Sequence, residues 1–178
     1  MRRLILACAG LAASTIVAGA GVSEAATSAQ QRAIAWLSSQ VSGYQAATWR
    51  WERVMGRTRT PTDGRVLAEM SVPDVERAVR LWQHRAAAAR RRAQHPPHLA
   101  AFLCIHRYEA GWRDGGGPYY GGLQMDLGFQ RRYAPWLLRK KGTADHWTPL
   151  EQIWTAEKAA RSRGFWPWPN TARVCGLL

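Results

Sequence analysis

From Ile34 the apolar and semi-apolar positions fall at Ile34, Leu37, Val41, Tyr44, Thr48, Trp51 and Met55, alternately three and four residues apart. That spacing lays them along one stripe of a helix. A stretch rich in Arg, Thr, Pro and Gly over 56–64 breaks the pattern. Ser71-Val72-Pro73-Asp74 then offers an N-cap with a carboxylate three residues on. The second stripe runs Val72, Val75, Val79, Trp82, Ala86, Ala89 and Ala93. Two helices with facing stripes predict an antiparallel helical hairpin, the alanines allowing close approach to the Tyr44 and Trp51 side of the first helix. A dimeric coiled coil is the competing use of the same pattern. His95-Pro96-Pro97-His98 stops the second helix and marks the best domain boundary.

Beyond the boundary, Pro97 suits the first turn of a new helix whose buried face is traced by Leu99, Phe102, Leu103 and His106 up to Glu109. Gly111 and the glycines at 115–117 end it. Thr148-Pro149-Leu150-Glu151 combines an N-cap, a proline at the first helical position and a capping-box glutamate. This helix is expected to run to about Arg163, with Gly164 terminating it. Ile153 and Trp154 give it an apolar patch, and Glu157, Lys158 and Arg161 a charged face. No alternating strand of useful length appears, so the chain is expected to be nearly all helical, with at most a short hairpin near Tyr119 to Gln124.

Arg2 and Arg3 precede an apolar run from Leu4 to about Ala20, and small residues lead to Ser23-Glu24-Ala25. The pattern predicts a secretory signal peptide cleaved after Ala25, with no stable membrane anchor. Cys8 lies too early in the run for a lipoprotein box. After cleavage Cys104 and Cys175 remain, and the oxidising address favours a disulfide over two buried thiols. His95, His98 and His106 are too scattered for a metal site, and no cofactor is implied. The net charge of +13 favours anionic partners, and for an exported protein cell-wall polymers rank ahead of lipid headgroups and nucleic acid. Arg85, Arg90, Arg91 and Arg92, near the end of the second helix, are either a solvated face or an anionic-polymer contact.

The chemistry concentrates between Cys104 and Met125, in the run CIHRYEAGWRDGGGPYYGGLQM. A single carboxylate, Glu109, is followed by aromatics and a glycine-rich loop. Such a carboxylate rises in pKa when desolvated, which makes it a proton donor near neutrality. Trp112, Tyr119 and Tyr120 are candidates for stacking on sugar faces, although tryptophan is more often core. Trp154, Trp166 and Trp168 are assigned to packing. Gly121 and Gly122 suit close backbone approach or positive φ. Asp114 and Asp126, the nearest further carboxylates, read as loop or capping residues.

With Glu109, the Tyr-Tyr-Gly-Gly-Leu-Gln run and a tail reading Gly-Phe-Trp-Pro-Trp-Pro before Val-Cys-Gly, the segment from about Ala100 to Leu178 resembles the resuscitation-promoting factor family. These are actinobacterial transglycosylase-like domains with a cut-down lysozyme-like fold. The resemblance implies cleavage of the β-1,4 bond between N-acetylmuramic acid and N-acetylglucosamine in peptidoglycan, with Glu109 as the acid and Gln124 as a polar contact in the cleft. Gln124 could instead brace the loop backbone. The family carries its cysteine directly before the glutamate, where this chain has Tyr108. Cys104 lies one helical turn earlier on the same face, and the resemblance implies the family's disulfide kept there as Cys104 to Cys175. Five extra residues, Pro169 to Arg173, provide reach.

The expected chain is therefore mainly α, with a signal peptide over 1–25, an antiparallel helical hairpin over 26–95 and a small lysozyme-like α+β domain, mostly helical, over 97–178. The expected activity is that of a secreted peptidoglycan-cleaving enzyme, a muramidase or lytic transglycosylase. Glu109 is catalytic, and Trp112, Tyr119, Tyr120, Gly122 and Gln124 contact the glycan. The alternative is a non-catalytic cationic wall-binding protein on the same scaffold. The partners expected are peptidoglycan and anionic wall polymers, with a wall hydrolase as a further possibility and no nucleic acid. The role of the hairpin is open between restricting the cleft and acting as a spacer or oligomer contact.

Overall fold

A computed structural model describes residues 20–178, with side-chain surroundings from residue 27 onward. Most of the signal peptide read over 1–25 lies outside them. Among the described residues the chain is mainly helical. It runs through α1 (Ala20–Met55), α2 (Val72–Ala93), α3 (Leu99–Glu109), β1 (Tyr119–Tyr120), β2 (Met125–Asp126), α4 (Leu127–Tyr133), α5 (Pro135–Lys141), α6 (Pro149–Arg163) and α7 (Pro169–Val174). No described helix is long and apolar enough to cross a membrane.

Both N-terminal stripes turn inward. Val41, Thr48 and Met55 of α1 are buried, as are Val75, Trp82, Ala86, Ala89 and Ala93 of α2. The direction of pairing, however, is parallel. Ile34, Leu37 and Val41 share a cluster with Val75 and Trp82, whereas Val54 and Met55 share one with Ala93. The expected antiparallel hairpin is thus corrected: α2 starts beside the middle of α1, and both helices end at the same place. A three-and-four stripe reads the same in either direction, so only the connection decides. An extended chain advances about 3.3 Å per residue against about 1.5 Å in a helix, so the 56–71 segment can run back along α1 before α2 begins. It is fastened on the way. Glu52 accepts the Thr60 amide at 2.9 Å and also binds its hydroxyl, and the Trp49 indole donates to the Thr60 carbonyl at 2.8 Å. Leu67 and Met70 close the path by packing on the Ile34–Trp82 cluster.

The centre of the remaining structure is α6. It begins with the capping box read from Thr148 and Glu151 and ends at Gly164, which has φ 55°. Every residue from Glu151 to Glu157 is buried. Of the charged face expected for this helix Arg161 stays exposed, whereas Lys158 is partly covered by the end of α1 and Glu157 is buried. Trp154 packs with Val54, Met55 and Ala93, and its indole donates to the Ala93 carbonyl at 2.7 Å. The Arg161 guanidinium reaches the Met55 carbonyl at 3.3 Å. Lys158 lies against Gly56. Burial, with some help from Arg161, pulls its ammonium down to about 8. Glu157 turns to α3 instead: its carboxylate accepts the His98 amide at 2.6 Å and lies 3.0 Å from His98 Nδ1. A distant side chain thereby serves the unsatisfied N-terminal amides of α3. Pro97 precedes this cap rather than entering the first turn.

On its remaining faces α6 meets the main core, formed by Phe102, Ile105, Leu123, Leu137, Trp147 and Trp168 among others. Ile105 takes the buried place expected for Leu103, which is 46% exposed. Trp154 and Trp168 pack inside as expected, but Trp166 is 62% exposed. Its neighbourhood, Phe165-Trp166-Pro167-Trp168, turns between helices, and of these four only Phe165 and Trp168 reach the core. Glu151 accepts both the Lys141 ammonium, at 2.6 and 2.8 Å, and the Thr148 amide at 2.8 Å. Burial pushes its carboxyl up, but these partners together outweigh it and hold the carboxyl below its ordinary 4.5.

Candidate active site

Glu109 is the last residue of α3 and is half-buried. The chain leaves the helix through Ala110 in an extended conformation, which directs it away toward the glycine-rich loop. One carboxylate oxygen, Oε1, accepts the Thr171 hydroxyl of α7 at 2.7 Å. The two helices are tied one turn further back by the disulfide between Cys104 and Cys175, whose Cα atoms lie 6.0 Å apart. The pairing expected from the resemblance is therefore formed. The extra residues 169–173 supply α7 itself, and with it Thr171. Sequence reasoning did not single out this residue.

The glycine-rich loop leads into a two-stranded hairpin, in the place expected for it. Tyr119 pairs with Asp126 and Tyr120 with Met125. The tight connection needs left-handed backbone at Gly121, with φ 73°, and at Gln124, with φ 46°. Gln124 is held there by its own amide group, which donates to Asp114 at 2.8 Å and to the Gly121 carbonyl at 3.0 Å. These are the bracing contacts considered as the alternative role for this residue. Both hydrogens of its amide group are thereby engaged within the loop. Tyr119 is exposed, and with Gln124, Phe129, Arg163 and Trp168 it lines a small cavity of about 100 Å³.

Other expected contacts are more enclosed. Trp112 stacks on His106, with ring centroids 3.8 Å apart and planes inclined by 24°. One of its faces is thus occupied. Gly122 is buried beneath both rings, and a Cβ there would meet His106 Nδ1 at 2.5 Å and Trp112 at 2.7 Å. Tyr120 is half-buried, with its hydroxyl against Gly117. Asp114 holds Gln124, while Asp126 caps α4 by accepting the Phe129 amide at 2.7 Å. Both carboxylates have the loop and capping roles read from their surroundings.

The loop is held in place by a residue that sequence reasoning did not single out. Gln152 of α6, fully buried, accepts the Gly122 amide at 2.8 Å and donates to the carbonyls of Trp112 at 2.9 Å and Ala144 at 2.8 Å. Its carboxamide fills the space where a side chain at Gly121 would sit. A buried amide must find partners in the protein, and this one finds them in three separate loops. The only signal for it in the chain is a glutamine next to the apolar pair Ile153-Trp154 on a capped helix.

Successive residues of an α-helix rotate by about 100°. Trp154, Lys158 and Arg161, which meet α1, therefore lie on the far side of α6 from Gln152. The α1–α2 pair is docked, but behind the loop that Gln152 supports. No family model, curated protein or solved structure matches this chain.

Proposed function

We propose that the protein cleaves the glycan strands of peptidoglycan, with Glu109 as the acid, on a lysozyme-like scaffold spanning residues 97–178. The observation that supports this most is the seating of Glu109. It stands at a helix end, half-buried, with one oxygen bound to Thr171 and the helix behind it clamped by a disulfide. The resemblance to the resuscitation-promoting factors falls on the same glutamate.

In this mechanism the Thr171 hydroxyl fixes Oε1 and leaves Oε2 to carry the proton. Glu109 gives that proton to the glycosidic oxygen as the bond from that oxygen to the muramic acid C1 breaks. Asp114 and Asp126 are engaged by Gln124 and by the amide of Phe129. Among these carboxylates, Glu109 therefore works alone, and the substrate supplies the nucleophile. Attack by the sugar's own 6-hydroxyl on C1, with its proton passing to the Glu109 carboxylate, gives a 1,6-anhydro product and restores the acid. Tyr119 and Gln124 border the sugar path. The protein is exported and acts at the wall.

Glu109→Gln is expected to lower muropeptide release from purified peptidoglycan about a thousandfold while leaving the melting temperature unchanged. Mass spectrometry of the fragments reads the bond and the product together, and a reducing end in place of the anhydro sugar would replace the 6-hydroxyl by water. The second reading is a non-catalytic wall-binding protein. It is favoured by the same Thr171 bond, which would serve equally to cap α7 against α3. That reading wins if wild type and variant both bind wall and neither releases fragments.

A further inference from the structure

We propose that the groove along the C-terminal half of α1 binds a linear wall polymer of sugar or polyol units joined by phosphodiesters. Three adjoining hollows make up the groove. The first, about 470 Å³ between α1 and α5, is lined by Trp49, Arg50, Arg53, Trp136 and Lys140 among others. The second, about 320 Å³, shares Trp49 and Arg53 and adds Glu52, Arg57 and Arg59. The third, about 480 Å³, shares Arg57 and places Arg91, Arg92 and His95 around a floor of Met55 and Trp154.

The charge along this path has one sign. Glu52 is the single carboxylate among the lining residues, and it is buried and turned toward Thr60. Arg50 lies 3.9 Å from Glu151. Among the described residues no ion pair involves Arg53, Arg57, Arg59, Arg91, Arg92 or Lys140. An ordinary solvated face mixes its signs, and α2 does so at Glu76 and Arg80. A row of unpaired guanidiniums suits repeated phosphates, because the planar fork matches their oxygens. The helix ends here do not oppose it. Arg161 caps the Met55 carbonyl and the Trp154 indole caps that of Ala93.

The aromatic rings argue against nucleic acid. Single-stranded binding uses bare faces on which bases stack. Here Arg59 stands 3.3 Å from the centre of the Trp49 ring, Arg53 covers Trp136 at 5.6 Å, and Trp154 is buried. A polymer without bases has no need of those faces. The groove also lies on the side of α6 away from Gln152, so its occupant and a glycan at Glu109 would not compete. This site extends the wall reading but does not rest on Glu109.

The test is binding of the whole protein to a fluorescent poly(glycerol phosphate) oligomer over a range of salt, beside an oligothymidylate with the same number of phosphates. The variant Arg53→Gln/Arg57→Gln/Arg92→Gln is expected to lose about tenfold in affinity for the oligomer and to show a flatter salt dependence. Arg32→Gln/Arg80→Gln/Arg131→Gln, exposed residues elsewhere with the same change in charge, should stay within about twofold of wild type. Muropeptide release by the groove variant from short soluble glycans should be unchanged. Equal losses in the two variants, no loss in either, or tighter binding of the oligothymidylate would overturn the proposal. Should the groove variant melt early, Arg92→Gln/Lys140→Gln at its two ends gives the same reading.

Discussion

The α1–α2 pair and the bundle around α6 are both helical, but they bury their helices differently. In the pair, each helix turns one stripe inward and leaves the rest to water, with Trp82 as its largest buried side chain. In the bundle, α6 buries seven consecutive residues, polar ones included, because other elements cover it from several sides. The pair is held by apolar contact and a returning strap. The bundle adds a disulfide, the Gln152 amide and the Glu151–Lys141 contact. A stripe tolerates sliding and variation, whereas satisfied polar groups demand one arrangement. The candidate site sits in the region where position is specified more tightly.

Removing the disulfide is the strongest way to break this contrast. Cys104→Ser/Cys175→Ser should cost about 4 kcal/mol by denaturant unfolding, from the loop of 71 residues it closes. The loss should fall on the bundle. Next, Trp82→Ala is expected to cost about 3 kcal/mol and to appear as an early calorimetric transition of the pair, with the bundle's transition in place. A single shifted transition would mean that docking on α6 has merged the two regions. Smaller, at about 2 kcal/mol, is Lys141→Met, which leaves the buried Glu151 carboxylate with fewer partners. Because the folded carboxyl of Glu151 lies below its unfolded value near 4.5, its contribution is present above that pH and is lost as pH falls through the folded value. Wild type should therefore lose this increment on acidification, and the Lys141→Met variant should lose less.

Features written in nearby residues were legible in the sequence. The capping box at Thr148 and Glu151, the end at Gly164, the two stripes and the short hairpin all depend on neighbours within a few positions. What failed depends on residues far away. The parallel direction of α2 is set by where the 56–71 segment is fastened, and Glu52 and Thr60 carry no pattern that announces it. Glu157 and Lys158 read as a charged face, and only α1 and α3 placed beside them bury it. Leu103 and Ile105 both fit a helical core, and only the packing of α3 on its neighbours selects one. At the site, Glu109, the hairpin and the cysteines stood out by type and order. Thr171 and Gln152 did not, because a hydroxyl and an amide acquire their roles only from the groups they reach.

The strap that makes α1 and α2 parallel also governs how the pair can assemble. An antiparallel hairpin zips from its turn, each contact bringing the next within reach. Here Ile34 shares a cluster with Val75 and Met55 shares one with Ala93, so the contacts between the two helices enclose loops of roughly forty residues. The short loops closed at Thr60 by Glu52 and Trp49 fasten the strap to α1 and not the two helices to each other. The pair, though made of helices, carries the loop-closure cost usual for distant strands, and it should form slowly for a helical unit.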